Sequence, residues 1–103
     1  MKIIEEMEEL IEDEISDVKK YAKMAIEYKE SFPSVAQSFY NLSLQEDEHQ
    51  NILHNEVVKL INEHRRTHGA PPPEMQAIYD FLHQRHIEKA EEVKRYQNMF
   101  RGQ

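Results

Sequence analysis

The chain contains no cysteine. That absence removes disulfides, thiolate zinc sites and four-cysteine iron centres, and it leaves the redox compartment unreadable. Glycine is nearly missing as well, with only Gly69 and Gly102 present. Three of the four prolines are consecutive, Pro71 to Pro73. Such sparse punctuation leaves long uninterrupted segments, and these read as helix. No apolar run approaches the ~20 residues that cross a bilayer. Positive charge is scarce: 13 Lys+Arg stand against 20 Asp+Glu, for a formal net charge of -7. A general nucleic-acid binder needs a basic face, so no nucleic-acid partner is expected. No membrane partner is expected either, because a membrane-surface helix would also need a basic polar face. The opening MKIIEEMEEL is too acidic for a secretory signal, and a cytoplasmic location is expected.

What is present is an acidic chain of 103 residues, enough for one domain with a modest core. Apolar residues recur at steps of three and four along three segments, which predicts an all-α fold of three long helices. The first helix is expected over about 2–30, with Ile4, Met7, Ile11, Val18, Tyr21, Ala25 and Tyr28 facing inward. Ser31-Phe32-Pro33 ends it, and Pro33 suits the first turn of the next. The second helix is expected over about 33–67, with a stripe of Val35, Phe39, Leu42, Leu53, Val57 and Leu60. His64, Arg65, Arg66 and His68 complement the dipole at its end, and Gly69 can cap it. The third helix is expected over about 73–100, with Met75, Ile78, Leu82, Ala90, Val93 and Phe100 inward. The short first turn makes helices one and two an antiparallel hairpin.

Three polar residues interrupt these stripes. Glu46-Asp47-Glu48-His49 sets a Glu and a His three apart on one face of the second helix, where Leu42 and Leu53 flank them. A buried carboxylate is costly unless it is paired, hydrogen-bonded or bound to metal. The motif alone says little, because 16 Glu and 6 His in 103 residues give about one Glu-x-x-His match from composition alone. Position gives it weight. Glu14 breaks the first stripe between Ile11 and Val18, and a hairpin folded near Phe32 sets position 14 opposite 49 or 50. Glu14, Glu46 and His49 are therefore candidate metal ligands at one level. Taken singly, Glu14 reads as a surface carboxylate and His49 as a hydrogen-bonded core histidine. The third helix offers Glu88, Glu91, Glu92, Asp80, His83 and His86 but no second Glu-x-x-His. His83 and His86 read as surface or interface residues, and His54, off the inner stripe, lies within reach of His86. The acidic run from Glu5 to Glu14 reads as a solvated face at a helix N-terminus. Within and beside it, Asp13 and Asp17 are candidates for drawing cations toward Glu14.

These residues resemble the ferritin-like superfamily of di-iron carboxylate proteins, and within it the rubrerythrins and the encapsulated ferritins. The spacing from Glu14 to the Glu46-x-x-His49 motif is similar, and Tyr21 follows Glu14 by seven residues as a tyrosine often does in rubrerythrin-like sequences. The resemblance covers roughly residues 1–67. It implies Glu46 as a bridging ligand, Glu14 as a terminal ligand and His49 as the nitrogen ligand. Tyr21 would lie near the centre as a hydrogen-bond partner or an electron source, or would serve only in packing. It implies iron as the cofactor and Fe(II) oxidation by dioxygen or peroxide, for iron handling or peroxide removal; manganese and zinc suit the same ligands. The superfamily carries the motif twice and this chain carries it once. A homodimer or higher homo-oligomer is therefore implied, with two Fe per dimer site held by both copies inside a completed four-helix bundle. An external electron donor is implied as a further partner. The competing expectation is a non-catalytic helical assembly protein whose polar Glu/His core sets register without metal.

Overall fold

The computed structural model describes residues 2–102. Three helices follow one another: α1 (Lys2–Tyr28), α2 (Pro33–His68) and α3 (Pro73–Arg101). There is no strand among the described residues. The molecule is a rod of 55 × 18 × 17 Å. Its long dimension is that of α2, whose 36 residues span about 54 Å at about 1.5 Å rise per residue. No helix among the described residues is long and apolar enough to cross a membrane.

The breaks fall where backbone chemistry demands them. Phe32 precedes a proline, which disfavours helical geometry, and it sits at φ -139°, ψ 69°. Pro33 then occupies the first helical turn of α2, where its missing N–H costs nothing. Gly69 ends α2 at φ +80°, donating its N–H to the Arg65 carbonyl at 2.9 Å. Pro72, at φ -53° and ψ 149°, leads into α3.

α1 is the central element. It packs closely on α2 and less closely on α3, while α2 and α3 approach each other least. Ile4, Ile11, Ile15, Val18, Ala22 and Ala25 are its buried residues. One core cluster joins Ile4, Ile11, Ile15 and Val18 to Val57 of α2 and Val93 of α3. A second joins Ala25, Ala36, Tyr40 and Phe100 near the hairpin turn. There Tyr40 and Phe100 stack at 4.6 Å, and Arg101 donates to the Tyr40 hydroxyl at 2.7 Å. α3 runs parallel to α1: Glu12 pairs with Arg85 at 3.3 Å and Lys19 with Glu92 at 2.9 Å, the same offset twice.

The stripe on α2 differs from expectation by one residue. Ala36, Tyr40, Ser43 and Gln50 are buried in place of Val35, Phe39, Leu42 and His49, while Val57 is buried as expected. Val35 is 50% exposed and Leu42 37%, while Leu53 and Leu60 are only partly covered at the edge of the core. The reason lies in α3, which seats against one flank of the hairpin and draws the buried face of the pair toward itself. The leucine stripe is left on the opposite flank. α3 departs from expectation in the same way: Ile78 is exposed, and His86, expected at the surface or an interface, is 3% exposed within the single chain.

Candidate metal centre

Glu14 lies mid-way along α1, one turn after buried Ile11 and one before buried Val18. α1 meets α3 through Glu8, Glu12 and Lys19. At about 100° per residue, Glu14 is turned by about 120° or more from all three, toward the flank of α2 that carries the leucines. Glu46 and His49 share one face of α2 and reach the same place. The three residues bring one ligand atom each to within 4.8 Å of one another. His49 Nδ1 is 3.9 Å from Glu14 Oε2 and 3.7 Å from Glu46 Oε2. The cluster is not buried in the single chain: the side chains are 28%, 22% and 56% exposed for Glu14, Glu46 and His49. The inward position expected for them is thus corrected to a partly exposed one on the leucine flank.

The electrostatics are those of crowded carboxyls. The Glu14 pKa is pushed up to about 7, first by the proton it shares with the Glu46 carboxyl, then by burial, then by the negative charge of Glu46. His49 pulls it down and Asp17 pushes it further up. With both carboxyls ionised, Glu14 Oε2 is sealed from solvent and has no hydrogen-bond partner. Two carboxylates that cannot both ionise comfortably are stabilised by a proton or by a cation between them. The gaps of 3.7 and 3.9 Å are too long for hydrogen bonds. They fall within the roughly 3–4 Å that separates two ligands of one ion with bonds of about 2.0–2.2 Å. Two carboxylates and one imidazole, with an orphaned buried oxygen among them, fit a hard divalent cation such as iron or manganese.

Tyr21 lies two turns beyond Glu14 on the same side of α1, half-buried, with its ring stacked on Phe39 at 6.3 Å. Asp13 and Asp17 are exposed beside Glu14. His54 and His83 stack on each other at 5.0 Å, away from the cluster. His86 is set against Glu8, its Nδ1 3.1 Å from Glu8 Oε2. A signal for its burial was present in the sequence: Tyr79, His86, Val93 and Phe100 recur every seven residues along one face.

The sequence profile described as Rubrerythrin matches residues 5–102, which takes in α3 as well as the hairpin. No curated protein and no solved structure matches the chain. With helices and profile in agreement along almost its whole length, the chain belongs to the rubrerythrin family.

Proposed function

We propose that this chain is one half of a di-iron carboxylate protein whose metal centre forms between two copies, and that it oxidises Fe(II) for iron handling or removes peroxide. The observation that carries the reading is the convergence of Glu14, Glu46 and His49 within 4.8 Å on a flank that also exposes leucines. One chain offers two carboxylates and one imidazole, which is half the donor set of a di-iron centre. A second copy laid on the same flank doubles it and covers Val35 and Leu42 in the same step, completing a four-helix bundle about a two-fold axis.

Glu46 would bridge the two cations, Glu14 would hold one terminally, and His49 would supply the nitrogen donor. Iron bound there supplies the electrons that reduce dioxygen or peroxide. Glu14 gives up the proton it shares with Glu46 as the site fills, since a bound cation favours the ionised carboxylate. Exposed Asp13 and Asp17, beside Glu14, would attract Fe(II), as substrate, toward the cluster. Tyr21, stacked on Phe39, would serve near the centre as a hydrogen-bond partner or an electron source, or in packing only. A single helical domain, a cytoplasmic location and an external electron donor belong to the same proposal.

Anaerobic loading of the purified chain with Fe(II), followed by metal analysis, tests it. About one iron per chain is expected, and none after Glu46→Ala. A wild-type chain that cannot be loaded would favour the assembly reading, in which the proton shared by Glu14 and Glu46 only fixes pairing.

A further inference from the structure

A second group of potential ligands lies on the other side of α1, where it faces α3. Glu8 Oε2 and His86 Nδ1 are 3.1 Å apart, with side chains only 13% and 4% exposed. At that distance a carboxylate and an imidazole normally share a hydrogen bond. Here they make none, and both ring nitrogens of His86 are sealed from solvent without a partner. Burying an unpaired polar atom is costly, so three such atoms in one place require a reason. Two atoms that sit side by side without aiming at each other are arranged as ligands to a third atom would be. Their separation is close to the edge of a tetrahedron with bonds of about 2.0–2.1 Å, which is about 3.3 Å.

α2 brings a third donor. His54 lines a cavity of about 140 Å³ together with His86, and another of about 130 Å³ together with Glu8 and His83. His54 also stacks on His83 at 5.0 Å, and both imidazoles line the second cavity.

We propose that Glu8, His54 and His86 form a second metal site, with His83 available as a fourth ligand, which takes a zinc-like divalent cation. Imidazole-rich donors favour zinc, copper or nickel over the hard cations that suit Glu14, Glu46 and His49. Among the described residues only that first cluster already brings three ligand atoms within 4.8 Å. At the second site His54 must turn into the cavity it shares with His86. Closure would tie α2 to α3, the two helices that approach each other least. Glu12, held by Arg85 at 3.3 Å and with a charge that acts on His86, is placed to orient the imidazole from outside the ligand set.

The site does not depend on the di-iron reading and is tested without it. The chain carrying Glu46→Ala and His49→Ala, which lacks the first cluster, is titrated with Co(II) and then Zn(II). One equivalent of Co(II) is expected to give the intense visible bands of a tetrahedral nitrogen and oxygen site, and Zn(II) is expected to bleach them. His54→Ala and His86→Gln should each weaken binding by more than the roughly 10–100-fold that loss of an outer-shell partner costs. Far-ultraviolet dichroism confirms that each variant is still helical, and His54→Ala, at a half-buried position, serves if His86→Gln does not fold. Absence of the bands, or bands that His54→Ala leaves unchanged, would overturn the site.

Discussion

Glu14 stands nearly balanced between its charged and neutral forms at physiological pH because Glu46 shares its proton. A cation must displace that proton, so binding at the first cluster is expected to strengthen about tenfold per pH unit from about pH 5 to 7, and to level off above. Titration calorimetry in buffers of different ionisation enthalpy would show release of about one proton per metal at pH 6. The metal-free chain should respond in the opposite sense. Its folded Glu14 pKa lies above the ordinary 4.5, so this group contributes stability below that value and loses it as pH rises through about 7. His54 and His86, which burial holds neutral, push the other way, because they resist folding once protonated in acid. The informative quantity is therefore the difference between wild type and Glu14→Gln. In urea melts the Glu14→Gln substitution should confer little or no benefit at pH 5 and a clear one at pH 8. At this scale the convergence of Glu14, Glu46 and His49 was legible, since a tight turn converts sequence spacing into position across a hairpin. His86 was not, because its burial depends on which side of α1 the third helix takes.

The helices themselves were largely legible because their ends rest on residues with few conformations. Pro33 and Pro73 open α2 and α3, and Gly69 and Gly102 follow α2 and α3. Gly69 is the stricter case, at φ +80° and ψ -173°, a region open essentially to glycine alone. A Cβ there would meet nothing within 4 Å, so the whole cost of Gly69→Ala is backbone strain. About 1–3 kcal/mol of destabilisation is expected, read as a lower urea midpoint at unchanged slope. Orientation about the helix axis was less legible. Periodicity finds the most apolar face of α2, which carries Val35, Leu42, Leu53 and Leu60. The face the chain buries by itself carries Ala36, Ser43 and Gln50 instead. Small residues there let α1 come close: Ala22, Ala25 and Ala36 are all 0% exposed.

A rod with a radius of gyration of 16.5 Å is well above the ~13 Å expected for a compact domain of this length. Its core is thin, and two of the five buried positions of α2 are Ser43 and Gln50. Meanwhile Leu10 and Leu42 stand exposed on the two helices beside Glu14, Glu46 and His49. The apolar surface missing from the core thus lies on the flank that carries Glu14, Glu46 and His49. If a second copy covers that flank, wild type should sediment at twice its 12.4 kDa. A Leu10→Lys/Leu42→Lys pair should then return it to a monomer with its helix content intact, because neither leucine lies in the buried core. The same variant keeps Glu14, Glu46 and His49 and should still lose tight iron binding, because each chain alone supplies only one imidazole and two carboxylates. Separating these outcomes is informative: a monomeric variant that retains one tightly bound iron per chain would place the whole centre within a single hairpin. Joint loss of dimer and metal would mean that the leucine stripe and the interrupting Glu and His are parts of one interface.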